Sequence, residues 1–133
     1  PFGPRDLNVT EGPLARTGIA IQNIEGDPVR SARYAAAKAY APYTNSPSGI
    51  AIRTRAGNVY PGSYIENAAF NPSLPPLQVA LVAMTIANEN FSDIAEVVLA
   101  EAVNNSISQL SATKSLLAAI ALHAEFRLLP RAK

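Results

Sequence analysis

Hydrophobic and polar positions divide the chain into segments of different period. Residues 1–27 hold no sustained repeat of 2 or 3.6 and carry Gly3, Pro4, Gly12, Pro13, Gly18 and Gly26, which favour turns over regular elements. They read as an extended arm or interdomain linker, with Phe2 and the Ile19–Ile24 patch as apolar anchors. Residues 28–133 read as the folded domain. Asp27-Pro28 predicts an N-cap followed by proline at the first helical position. The helix should run from Pro28 to about Ala41, with Val29, Ala32, Ala36, Ala39 and Tyr40 on one side and Pro42 as its stop.

Two strands follow, 49–54 and 59–65, around the turn Arg55-Ala56-Gly57-Asn58 with glycine at a left-handed position. Pro61 removes a ladder donor, so the second strand belongs at an edge or a bulge. Residues 74–88 predict a helix with almost no polar face, and a helix apolar all round must be covered on all sides. A domain this small can rarely enclose one alone, so a subunit or domain interface is expected there. Ile94 to Ala102 reads as a central strand from its consecutive aliphatics. A helix capped by Ser111 should reach about Leu122, with Leu116, Leu117 and Ile120 inward, before a last strand at 126–129. This order predicts a three-layer α/β/α sandwich with a mixed sheet.

The 133 residues suffice for one domain with a single core. With 48% hydrophobic and 16% charged residues, the chain is too apolar for disorder. A net charge of +1 with scattered basic residues argues against a nucleic-acid partner. The most apolar run, Val79 to Ala87, is too short to span a membrane, so cytoplasm is the expected compartment. The absence of an initiating Met before Pro1 suggests a piece of a longer protein. Catalytic chemistry is sparse. There is no cysteine, no phosphate-binding glycine loop, and a single histidine, His123, expected at a helix end. Asp93 and Glu96 read as solvated carboxylates.

Two blocks carry a resemblance. Tyr40-Ala41-Pro42-Tyr43-Thr44-Asn45 and Gly62-Ser63-Tyr64-Ile65-Glu66-Asn67-Ala68-Ala69-Phe70 are similar to motifs of the cytidine deaminase family at the same relative spacing. The resemblance implies that family's fold and a catalytic zinc with three protein ligands, a bound water and a proton-shuttling glutamate. Here the ligand-and-glutamate triplet reads Pro75-Pro76-Leu77, and Leu110 and Thr113 stand where two cysteines belong. Tyr64 replaces an asparagine that binds the sugar, and Ser46 a phenylalanine that stacks on the base. Glu66 survives, as a structural residue by this reading.

The run from Gly62 through Asn71-Pro72-Ser73-Leu74-Pro75-Pro76-Leu77 to Gln78, with Phe2-Gly3-Pro4-Arg5-Asp6-Leu7, Ser46-Pro47-Ser48-Gly49 and Val98-Leu99-Ala100-Glu101, resembles the zinc-less C-terminal domain of the dimeric two-domain type found in bacteria and plants. What this implies is a non-catalytic domain with no cofactor of its own, zinc being held by an N-terminal catalytic domain of the parent enzyme. The expected partners are that domain, a second copy in a homodimer, and a pyrimidine nucleoside at the shared interface, contacted in trans by Phe2, Ala68, Ala69 and Phe70. The alternative is a stand-alone interaction module that kept the fold without the activity.

Overall fold

The computed structural model describes residues 27–67 and 73–131. Helix α1 spans Pro28–Ala37, strands β1 Ser48–Thr54 and β2 Val59–Ser63, helix α2 Pro76–Ile86, strand β3 Ile94–Ala102, helix α3 Leu110–Ile120 and strand β4 Glu125–Arg131. A 3-10 turn at Phe91–Asp93 leads into β3. The four strands lie in the order β2-β1-β3-β4. β1 pairs antiparallel with β2 and with β3, whereas β4 runs parallel to β3 after the α3 crossover. The sheet is mixed, as the element order implies, and β3 is an inner strand. Pro61 stands in β2 at the sheet's edge.

Strand alternation sends successive side chains to opposite faces. Ala51, Val59, Val98 and Ala100 meet Ala32 and Ala36 of α1 on one face. Ile50, Ile52, Tyr60, Val97 and Leu99 meet Leu77, Met84 and Leu117 of α2 and α3 on the other. This is the three-layer sandwich. Glycine sets the spacing at two points: a Cβ on Gly49 would lie 2.1 Å from the Ala36 backbone nitrogen, and one on Gly62 would lie 2.3 Å from the Pro76 carbonyl oxygen.

Local chemistry explains most boundaries. Asp27 Oδ1 accepts from the Arg30 amide at 3.1 Å and starts α1. The helix stops four residues before Ala41, because Tyr40 leaves it to form a parallel bridge with Ile65. The Tyr40 amide donates to the Tyr64 carbonyl and the Glu66 amide to the Tyr40 carbonyl. Ala39 and Tyr40 therefore lie outside the helical face expected of them, and the Tyr40 side chain is 55% exposed. Gly57 takes φ 92° at the β1–β2 turn.

Two further expectations are corrected. Ser111 does not cap α3. Gln109 occupies the N-cap position, its amide donating to Glu101 Oε2 at 2.5 Å, while Ser108 Oγ accepts from the Leu110 amide at 3.1 Å. Glu96 is not a free solvated carboxylate, because it accepts from Arg53 at 3.2 Å and Arg127 at 3.5 Å across three strands. Finally, α2 is not enclosed on all sides by the described residues. Leu77, Ala80, Leu81, Ala83 and Met84 are buried, yet Val82 and Ile86 are 50% and 47% exposed. Among the described residues no helix is long and apolar enough to cross a membrane.

Candidate functional site

Three segments converge at one end of the sheet: the 40–48 loop that leads into β1, the stretch that follows β2, and the N-termini of α2 and α3. Glu66 is the centre of the first cluster. Its side chain is 5% exposed, and its Oε1 accepts from the Tyr43 amide at 2.9 Å and the Thr44 amide at 3.3 Å. Oε2 accepts from the Thr44 hydroxyl and, at 3.2 Å, from the Tyr64 hydroxyl. Burial alone would raise this carboxyl. The hydrogen bonds from Thr44, Tyr43 and Tyr64 outweigh that and hold it below the ordinary carboxylate value. Both oxygens are thus engaged by the chain itself, and the resemblance's reading of Glu66 as a structural residue agrees with this geometry.

Ser46 is the second centre. It is 1% exposed, and its Oγ accepts from the amides of Ser106 at 3.0 Å and Ile107 at 3.1 Å. Its hydroxyl lies 3.2 Å from the Thr44 carbonyl. Asn105 Nδ2 donates to the Pro47 carbonyl at 2.8 Å beside it. Where active relatives are expected to stack an aromatic ring on a base, this chain uses a small hydroxyl to stitch the β3–α3 loop to the 44–47 loop. No local signal announces this pairing, since the partners are 60 residues apart.

The positions that the resemblance assigns to zinc lie at the two helix N-termini, and the residues there do not fit the metal. Pro75 is the N-cap of α2 and Pro76 its first residue, with no side-chain cap. Leu77, in the place of the proton-shuttling glutamate, is 2% exposed and packed into the core. Leu110 opens α3, and Thr113, 3% exposed, follows it. His123 stands exposed in the turn after α3. Among the described residues no three His, Asp or Glu side chains are grouped to hold a metal ion. Between the helix ends lies a hollow of about 320 Å³ lined by Pro75, Leu77, Gln78, Thr113 and Leu116, among others. It offers one amide and two hydroxyls at most, with no group that could move a proton at neutral pH. Phe2, Ala68, Ala69 and Phe70, the expected contacts in trans, lie outside the described residues.

A half-buried carboxylate lies away from this end. Glu89 accepts from Asn58 Nδ2 at 2.7 Å and from the Tyr60 hydroxyl. Burial raises the Tyr60 phenol well above its ordinary value, and the adjacent Glu89 adds to the effect. Glu89 thereby fastens the β1–β2 hairpin to the end of α2.

The family described as the cytidine and deoxycytidylate deaminase zinc-binding region matches residues 1–114. A cytidine deaminase of Proteus mirabilis is 42% identical over 121 residues, and one of Photobacterium profundum is 47% identical over 120. In each case the match takes in 90% of this chain and 41% of the relative, so the chain spans well under half the length of these relatives. Among solved structures, the cytidine deaminase of Burkholderia pseudomallei superposes with a TM-score of 0.59 at 27% identity, covering 68% of this chain and 71% of that one. The enzyme from Mycobacterium leprae shares the fold at a TM-score of 0.60 and 22% identity, over 77% of this chain and 84% of that one.

Proposed function

The chain belongs to the cytidine and deoxycytidylate deaminase family, and from that premise we propose that it is the non-catalytic C-terminal domain of a zinc-dependent cytidine deaminase. The parent reaction converts cytidine or deoxycytidine and water to the uridine and ammonia, as a cytoplasmic step of pyrimidine salvage. Zinc and the proton-shuttling glutamate belong to an N-terminal catalytic domain. This domain supports a homodimer and closes the nucleoside site of its partner with Phe2 and the Ala68–Phe70 segment. Aromatic closure excludes water and strengthens the electrostatics inside such a site.

The observation that carries the reading is Leu77. An apolar side chain buried at 2% exposure stands at the start of α2, behind two prolines, where the reaction needs an ionisable one. Glu66 and Ser46 support it, because each spends its polar atoms on the chain's own loops.

The 133-residue protein is expected to bind no zinc and to leave cytidine unchanged. Metal analysis and an absorbance assay for cytidine check both, and near-stoichiometric zinc with measurable turnover would overturn the reading. In the parent enzyme, Phe2→Ala removes apolar cover worth roughly 1–3 kcal/mol if fully buried. The loss should fall on kcat/KM with zinc content unchanged. A lower melting point with normal kcat/KM would instead make Phe2 a pin for the linker.

A further inference from the structure

Helix α1 divides along its length into a packed face and a basic one. Ser31, Ala32, Ala35 and Ala36 are buried, with Ala32 and Ala36 against the sheet. Arg30, Arg33, Tyr34, Ala37 and Lys38 are exposed, at the spacing of three and four that sets residues on one side of a helix. Lys38 Nζ lies 5.0 Å from the centre of the Tyr34 ring, within cation–π range. Among the described residues no carboxylate pairs with Arg30, Arg33 or Lys38, whereas Arg53 and Arg127 are both held by Glu96. Asp27, the one acid between residues 27 and 38, accepts from the Arg30 amide instead. Three cations without a counter-charge thus share one face of a chain whose net charge is +1. Their placement also runs against the helix. Arg30 stands in the first turn, where the dipole favours negative charge, and no acid stands there. A residue that weakens its own element in this way is expected where it serves something outside the fold.

We propose that the outer face of α1 docks an extended acidic segment of another protein, its carboxylates received by Arg30, Arg33 and Lys38. Charge and length both select this occupant. Arg30 and Lys38 are about 12 Å apart along the helix axis at its usual rise. Carboxylates four residues apart on one side of an extended chain are about 13 Å apart, so acids at every second position can meet both ends of the face. The arginine forks accept such carboxylates in pairs of hydrogen bonds, and Ala37 has no bulk to hold the segment away. A single-stranded nucleic acid fits less well, because its bases need open ring faces and Lys38 covers one face of Tyr34. The face carries no aliphatic side chain larger than alanine, so it has nothing to insert into a lipid surface.

The 133-residue protein should bind a short fluorescent peptide of alternating glutamate and serine, read by anisotropy at low salt, and release it as added salt screens the charges. A peptide of alternating lysine and serine should not bind. Arg30→Glu should weaken binding of the acidic peptide about tenfold. Its melting temperature should stay level or rise, because the new charge suits the helix end, so lost binding cannot be ascribed to lost folding. Lys114→Glu makes an equal change of charge at an exposed position on α3 and should leave binding as it was. No binding of the acidic peptide at low salt would overturn the proposal. So would an affinity untouched by Arg30→Glu, or an equal loss from Lys114→Glu. Tighter binding of oligothymidylate, lost in Arg30→Glu, would overturn it in favour of a nucleic-acid partner.

Discussion

Replacing Glu66 gives the sharpest test of how this end of the domain is held. Glu66→Ala leaves the Tyr43 and Thr44 amides and the Thr44 and Tyr64 hydroxyls without their acceptor. The hydroxyls can turn elsewhere; the amides are fixed by the backbone. An unmet buried donor costs about 1–3 kcal/mol, so two amides with partial access to water imply a loss of about 2–4 kcal/mol. For a domain of this size that is a fall in Tm of about 8–16 °C. Glu66→Gln keeps the shape and one acceptor oxygen but loses the charge, for a loss of about 1–2 kcal/mol. The pH dependence separates the charge from the shape. The folded carboxyl lies below its ordinary 4.5. Its stabilisation is therefore complete above that value and disappears as pH falls through the folded pKa. Urea denaturation of wild type and Glu66→Gln at a series of pH values should show a gap that is widest near neutrality and closes in acid. Equal stability at neutral pH, or a gap that stays constant into acid, would refute the argument.

Other expected outcomes follow from the same geometry. Tyr60→Phe removes one donor from Glu89 and should cost about 1–2 kcal/mol by urea denaturation, with acid unfolding beginning at higher pH because Glu89 loses part of what lowers its carboxyl. Wild-type stability should decline above pH 10.0, where the unfolded chain's phenol ionises and the folded Tyr60 does not; alkaline melts check this, and Tyr60→Phe should flatten the decline. Gly62→Ala drives a methyl into the Pro76 carbonyl and the Ala80 amide and should cost about 3 kcal/mol or more. Gly57→Ala meets nothing within 4 Å and suffers only its φ of 92°, a loss of about 1–2 kcal/mol; calorimetry on the two variants should rank them in that order.

Local signals were legible in the sequence, and pairings between distant residues were not. Asp27-Pro28, Gly57 and the β-branched run of β3 each act within a few residues, and the elements began where those signals stand. The end of α1 was misjudged because what stops it is the bridge from Tyr40 to Ile65, 25 residues on. The start of α3 was misjudged because Glu101, in β3, supplies the acceptor that a local Ser111 was expected to supply. Glu96 was misread because its two arginines come from β1 and β4. At the candidate site, the resemblance's expectation of no zinc could be read from Pro75, Leu110 and Thr113 at the ligand positions and Leu77 at the glutamate position alone. The internal stitching through Glu66 and Ser46 depends on loops that only folding brings together.

The two sides of the sheet differ in what defines their spacing. On the α1 side Ala32, Ala36, Ala51 and Ala100 are small, and at Gly49 the main chains of strand and helix nearly touch. On the other side, Leu77, Met84, Ile50 and Leu99 fill the gap with side chains that have several rotamers. Variation should therefore be distributed unevenly. Exchanges among Leu, Ile and Met can be absorbed beneath α2 and α3 by repacking, whereas a methyl added at Gly49 would meet only the main chain of Ala32, Ala35 and Ala36. A library of random variants sorted for solubility would show near-invariance at Gly49 and Gly62, and broader latitude among the large side chains beneath α2 and α3.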